Sequence, residues 1–277
     1  MTDQVRSVDI FTFKSKAKLN VTTAWSPVLF ERTEGSAPIV LVCEHASRFI
    51  PHDFGDMGLS DTVRDSHVAW DIGALDVARQ LSTLMDAPLV SCGVSRLLYD
   101  CNRPLSARDC IPSKSEVFDV PGNVGLSDAQ RRSRHQLIHE PFHMAVDGLV
   151  RGQMGKLGRD VVVVTIHSFT PVYFGKTRDV EIGFLHHDNA SLSLAAQRIE
   201  ERRGRYRTAL NQPYDASDGV TYSLAKHADA HGLHSTMVEI RNDLVDTSSK
   251  AGSVAVHLAE TLMQSVAELA PMTKAAS

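Results

Sequence analysis

A three-layer α/β/α domain with a mixed central sheet is the fold class that the sequence predicts. Short apolar runs alternate with amphipathic helical stretches, the signature of βαβ units. The runs are apolar throughout rather than at every second residue, as strands covered on both faces are. No linker-like segment divides the 277 residues. Residues 1–277 are therefore expected to form one domain, with 1–35 as an N-terminal arm or edge hairpin.

Taken in order, "APIVLVCEHA" opens with a buried strand, Ile39 to Cys43. "DIGALDVARQLSTLMD" reads as a helix with Ala74, Ala78, Leu81 and Met85 on one face. "APLVSCG" and "SRLLYDC" read as short strands. After the Pro/Gly/Ser-rich loop 111–125, a long helix is expected from Ser127, where Ser127 and Gln130 make a capping box. "DVVVVTIHSF" is the strongest strand signal, and "VEIGFLHH" is another. "ASLSLAAQRIEERR" and "YSLAKHAD" read as helices, "STMVEIR" as a strand, and 247–268 as a closing helix.

Composition narrows the function classes. The net charge of −4 shows no basic excess for nucleic acid or an anionic membrane surface. The first residues lack the apolar core of a signal peptide, and no apolar stretch approaches the ~20 residues that span a bilayer. A soluble cytoplasmic protein is expected. Cys43, Cys92, Cys101 and Cys110 have no CxxC spacing and read as reduced core thiols. The sequence does not speak to oligomeric state.

In open α/β sheets chemistry collects at the carboxyl ends of strands. Here those ends carry Glu44, His45 and Ser47; Asp100, Asn102 and Arg103; His167 and Ser168; and Glu239, Arg241, Asn242 and Asp243. Burying so many polar groups without partners would cost several kcal/mol, so one shared site is the economical reading. Two His from separate strands plus a carboxylate make a zinc shell that leaves one position open. His45 and His167 are the His ligands chosen, and one Zn2+ per chain is expected. Asp71, at a helix start, is the preferred carboxylate, with Asp65 and Glu44 as rivals. Glu239 is the candidate base and Arg103 the candidate electrophile. Arg178 and Arg241 are candidates for binding a substrate carboxylate, since guanidinium matches carboxylate bidentately.

The ordered stretches "VLVCEHASRFIP", "DSHVAWDIGALDVA", "SRLLYDCNRP", "IHSFTPVYFGKTRDVEIGFLHHD", "NQPYD" and "HGLHSTMVEIRNDLV" resemble the N-formylglutamate amidohydrolase family over about residues 38–265. The resemblance implies a phosphorylase/hydrolase-like fold akin to zinc carboxypeptidases. It also implies metal-dependent hydrolysis of a small N-acyl amino acid such as N-formylglutamate. The family's first His falls on His45, its HS pair on His167 and Ser168, its D-x-N-R on Asp100, Asn102 and Arg103, and its late Glu on Glu239. Asn102, Ser168 and His143 are carried as substrate-side residues. "CEHAS" and "VEIRNDL" depart from the PHSG-like and aliphatic-Glu motifs of the well-assigned deformylases. A non-catalytic small-molecule-binding protein that keeps the pocket is the alternative.

One competing motif needs weighing. "HEPFH", His139 to His143, matches the H-E-x-x-H of zincin helices. Pro141 lies between the two His, where it removes a backbone N–H and clashes with the carbonyl of Leu137. The motif is therefore read as accidental, and His139 is expected outside the site. "FLHHDN" is read as a solvated strand end rather than a metal tract.

Overall fold

β-Branched and aliphatic residues fill the central strands, and the structure, a computed structural model, describes residues 25–214 and 218–269. Most of the expected arm, residues 1–24, lies outside the described residues. The strands are β1 (Val28–Glu31), β2 (Ile39–Cys43), β3 (Leu89–Cys92), β4 (Lys114–Ser115), β5 (Phe118–Asp119), β6 (Val162–Phe169), β7 (Val172–Tyr173), β8 (Lys176–Thr177), β9 (Ile182–Leu185), β10 (Thr208–Leu210) and β11 (Ser235–Arg241). The main sheet has seven strands in the order β1-β3-β2-β6-β11-β9-β10. Its centre, β3-β2-β6-β11, is parallel, whereas β1 runs antiparallel to β3 and β9 antiparallel to β11. The sheet is mixed, as expected. Among the described residues β1 is an edge strand, and it pairs with β3 rather than with β2. β4–β5 and β7–β8 form two small antiparallel ribbons.

The helices are α1 (Asp61–Asp65), α2 (Ala74–Met85), α3 (Asp128–Arg134), α4 (Glu140–Leu157), α5 (Ser191–Arg203), α6 (Tyr222–His227) and α7 (Ser248–Leu269). Side chains alternate across a strand, and the core divides accordingly. Leu41, Val164, Ile166, Val238 and Ile240 pack with Ala78 and Leu81 of α2, Leu192 of α5 and Leu258 of α7. Val40, Val42, Val90 and Val163 point the other way, onto Phe142, Val146 and Val150 of α4. Each fully buried aliphatic side chain contributes about 1.5–3 kcal/mol against exposure. The alternation also fixes the chemistry: His167 and Glu239, register partners on β6 and β11, share the face opposite Ile166, Val238 and Ile240.

Two local expectations change, and the expected long helix through Pro141 is kept by a local adjustment. "SRLLYD" is a turn, not a strand: the Leu98 N–H donates to the Ser95 carbonyl (3.0 Å) and the Asp100 N–H to the Cys110 carbonyl (2.8 Å). Its apolar run reflects burial of Leu97, Leu98 and Tyr99 in the core, not sheet pairing. β10 was not expected; it lies beside β9 with half-buried side chains and carries little apolar signal. The helix from the Ser127 capping box does continue past Pro141, because His135–His139 forms one π turn. The Glu140 N–H donates to the His135 carbonyl five residues back, and Pro141 falls in the first turn of α4, where a missing N–H is tolerated.

Candidate metal centre

The carboxyl ends of β2 and β6 bring His45 and His167 together, ring centroids 4.8 Å apart. Asp71 joins them from the turn before α2. Gly73 lets that turn close: its φ is +79°, and a Cβ there would meet the Val245 carbonyl oxygen at 2.2 Å. His45 Nδ1 lies 3.3 Å and His167 Nδ1 2.8 Å from Asp71 Oδ2. The ligand-type atoms of His45, Asp71 and His167 all fall within 4.8 Å of one another, and all three residues are buried. Two imidazole nitrogens and a carboxylate oxygen are the donor set of a catalytic zinc, and bonds of 2.0–2.1 Å place tetrahedral ligands about 3.3 Å apart. The residues therefore fit a divalent metal.

Ser168 supports Asp71. Its N–H donates to Asp71 Oδ2 (3.2 Å) and its hydroxyl to the Ile72 carbonyl (2.7 Å). That hydroxyl's proton is engaged in holding the ligand loop. On the outer side of the rings, His45 Nε2 is 2.7 Å from Asp100 Oδ1, and His167 Nε2 is 3.0 Å from Glu44 Oε2. Arg96 reaches Asp100 Oδ2 at 2.8 Å and Asp71 Oδ1 at 3.4 Å. Arg96 thus meets Asp71 and Asp100, while Glu44 and Glu239 add two more buried carboxyls beside the histidines, a charge set with room for a cation.

The electrostatics follow from that crowding. Burial pushes the pKa of Asp71 up, but His45 and His167 outweigh it and hold the carboxyl far below the usual range. Burial likewise opposes ionisation of Glu44, yet His167 and the Ser223 hydroxyl keep it below its ordinary value. His167 moves the other way: burial would lower it, but Glu44 and Asp71 raise it well above a free imidazole. Glu239 differs from its neighbours. Burial lifts its pKa to about 7, with His167 pulling it down and Asp71 pushing it up, and its Oε2, like both oxygens of Glu44, is buried without a hydrogen-bond partner among the described residues. A carboxyl poised near neutrality and unpaired suits general-base work. Arg241 does not pair with it; that guanidinium is held by Asp243 (2.8 Å) and Glu181 (3.5 Å).

The other expected site residues separate. Arg103 is taken by Asp109 (2.7 Å) and by the carbonyls of Asn102 and Gly219, so Arg96, not Arg103, is the guanidinium touching Asp71. The turn at 95–100 explains this, since it closes Arg96 onto Asp100 at i,i+4. Asn102 donates to the Val220 carbonyl and accepts from the Ser223 N–H, tying that segment to the 100–103 turn. Arg241 is neutralised as described and is not a free cation. Asp65 is exposed and paired with Arg48, which removes it as a ligand rival. Glu44, the other rival, places Oε2 3.0 Å from His167 Nε2 and has no hydrogen-bond partner for either oxygen among the described residues. Arg178 keeps a free charge: among the described residues it has no carboxylate partner and lies 4.5–5.6 Å from the Phe169, Tyr173 and Tyr214 rings. Tyr214, from "NQPYD", was missed; its hydroxyl is 3.3 Å from Arg178 Nη1. Its pKa is pushed up to about 12 by burial and then by Glu239.

The "HEPFH" histidines lie elsewhere. The His139 ring stacks on His135 (centroids 4.3 Å apart) and lies tilted by 51° against His143 (4.1 Å), so the two motif histidines do share a helix face despite Pro141. His143, expected at the pocket, uses both nitrogens on His227 (2.7 Å) and the Cys101 carbonyl (2.8 Å). Glu140 is half exposed. His139→Ala is expected to lower stability by opening a cavity but to leave metal content and specific activity of the folded protein at wild-type level. Loss of metal in that variant, measured by elemental analysis, would revive the zincin reading. The "FLHHDN" tract places His187 and Asp188 beside Asp229 in a partly exposed group.

Comparison with known proteins agrees with the fold. The N-formylglutamate amidohydrolase family model matches residues 37–245. A solved gene product from Agrobacterium tumefaciens is 43% identical, with a TM-score of 0.85 over 88% of this chain and 96% of that one. The N-formylglutamate amidohydrolase of Ralstonia eutropha is 20% identical, with a TM-score of 0.57 over 86% of this chain and 99% of that one, and shares the fold. No curated protein gives a match. No helix among the described residues is long and apolar enough to cross a membrane. With three quarters of its length under that family model, the chain belongs to the N-formylglutamate amidohydrolase family and is an amidohydrolase.

Proposed function

We propose that the chain is a metal-dependent amidohydrolase that cleaves the amide bond of a small N-acyl amino acid, with residues 1–277 working as one domain. The observation that carries this reading is the convergence of His45, Asp71 and His167 beside the unpaired, near-neutral carboxyl of Glu239. His45, Asp71 and His167 would hold one zinc. When bound, the metal supplies Lewis acidity to water and to the scissile carbonyl.

Glu239 accepts the proton of the attacking water and delivers it to the departing amine. Its raised pKa makes both transfers accessible near pH 7. Burial of the site excludes bulk water, which strengthens each charge interaction there. Arg178, free of carboxylate partners among the described residues and walled by aromatic rings, binds a substrate carboxylate. Arg178→Ala is accordingly expected to raise KM by about 10- to 100-fold with kcat little changed, as loss of a charged contact made equally in ground and transition states would. An unchanged KM for every carboxylate-bearing substrate would remove Arg178 from the site.

The decisive experiment has two steps. Elemental analysis of the purified protein is expected to find about one zinc per chain. A screen of N-acyl amino acids, N-formylglutamate included, is then expected to give amine release that stops on chelation and returns with zinc. A protein that takes up no metal after reconstitution would overturn the reading.

A further inference from the structure

We infer that Glu44 and Asp100 are positioning residues, each holding the outer nitrogen of one ligand histidine so that both rings present Nδ1 to the metal. This rests on the metal-dependent reading above and deepens it.

A neutral imidazole has one N–H and one lone pair. If the lone pair goes to a metal, the other nitrogen must keep its proton, and a buried N–H needs an acceptor. His45 is arranged this way, and His167 has a buried carboxylate within reach of the corresponding nitrogen. His45 turns Nδ1 toward Asp71 and Nε2 toward Asp100 Oδ1 (2.7 Å). His167 turns Nδ1 toward Asp71 and brings Nε2 within 3.0 Å of Glu44 Oε2, a close contact not aligned as a hydrogen bond, and both atoms are otherwise without a partner among the described residues. Water cannot substitute, since the Glu44 side chain is wholly buried and those of His45, His167 and Asp100 are 2–5% exposed.

The two arms are built differently. Asp100 is anchored in turn: Oδ1 accepts from the Asn102 N–H (2.8 Å) and Oδ2 from Arg96, which also reaches the ligand Asp71. One guanidinium therefore links the ligand carboxylate to the support of His45. Glu44 adjoins His45 in sequence but supports His167 on the neighbouring strand. Successive side chains at a strand end leave in different directions, so the end of β2 supplies both a ligand and the backing for the ligand on β6. In each ring a carboxylate fixes the tautomer and raises the basicity of the coordinating nitrogen.

The test uses the full chain and zinc alone. Zinc affinity is measured by chelator competition for wild type, Glu44→Gln, Asp100→Asn and the control Glu200→Gln, and stability by urea unfolding of each metal-free protein. Glu200 is as buried as Glu44 but pairs with His257 between α5 and α7. Glu44→Gln and Asp100→Asn are each expected to weaken zinc binding about 10- to 100-fold while still unfolding cooperatively. Glu200→Gln is expected to lose stability and keep wild-type zinc affinity. Nitrogen-15 NMR of the zinc-loaded wild type should show both ligand rings protonated on Nε2. Should Glu44→Gln fail to fold, Glu44→Asp, which withdraws the carboxylate by one methylene, carries the same expectation. Unchanged zinc affinity in the folded variants, or rings protonated on Nδ1, would overturn the inference. A wild type that binds no zinc would instead overturn the metal-dependent reading itself.

Discussion

On acidification from about pH 6.5 to about pH 5, the metal-free protein is expected to lose roughly 4 kcal/mol of stability. The cause is the histidine stack beside α4 rather than the carboxylates. Burial first, and neighbouring cationic groups second, lower His139 to about 2 and His143 and His227 to about 3. The native chain therefore keeps these three rings neutral where the unfolded chain, titrating near the ordinary value of 6.5, takes up three protons. A lowered native pKa means stability that is complete above pH 6.5 and lost as pH falls toward the native values. His135 is lowered too and acts in the same direction. Glu239 opposes it: raised to about 7, it holds one proton in the native state that the unfolded chain lacks down to about 4.5. His167 contributes nothing further below 6.5, since both states are then protonated. A net two protons favour the unfolded state, each worth about 1.4 kcal/mol per pH unit. Against a typical total of 5–15 kcal/mol, that brings the chain close to unfolding near pH 5. Urea titrations at several pH values measure the slope directly. Stability that stays level from pH 7 to 5 would mean that the stack is hydrated or already charged at neutrality.

Glu239→Gln is expected to fold, to bind zinc, and to lose activity by about 10²- to 10⁴-fold. The amide keeps the volume of the carboxyl and cannot take the proton of the attacking water. A scaffold role predicts the reverse pattern, because breaking a buried ion pair strands its partner at a cost of several kcal/mol. The structure already weakens the scaffold reading, since Arg241 pairs with Asp243 and Glu181, and Glu239 Oε2 has no hydrogen-bond partner. Zinc content, unfolding midpoint and hydrolysis rate on one preparation separate the two. A variant that unfolds readily yet works at full specific activity when folded would make Glu239 structural. Glu44 would then be the next carboxylate to test.

The residues legible from sequence are those whose placement follows from strand ends. His45, His167 and Glu239 each follow an apolar run, and the parallel order β2-β6-β11 gathers such ends at one rim. Asp71 was legible as a polar residue opening an amphipathic helix. What the sequence leaves open is partner choice. Arg103, Arg241 and Asn102 are polar residues in the right neighbourhood whose bonding groups are consumed by Asp109, Asp243, Glu181 and backbone carbonyls. No pattern along the chain tells which of two nearby arginines finds its acid first. A period of two over "SRLLYD" hides the i,i+4 contact of Arg96 with Asp100. Tyr214 and the ring stack depend on segments distant in sequence, a kind of proximity that periodicity does not report.

The π turn at His135–His139 also has a meaning for comparing relatives. Its extra residue sets the phase between two lengths of helix: the capping-box half before it and the core-facing half that carries Phe142, Val146 and Val150. Deleting one residue there would restore ordinary helical winding but turn one half against the other by about 100°. Phe142 would leave the core, and His143 would swing away from His227. A homologous helix shorter by that one residue must therefore carry its apolar stripe in a shifted phase, and a correct alignment of the two would open its gap inside residues 135–139, not in the loops on either side.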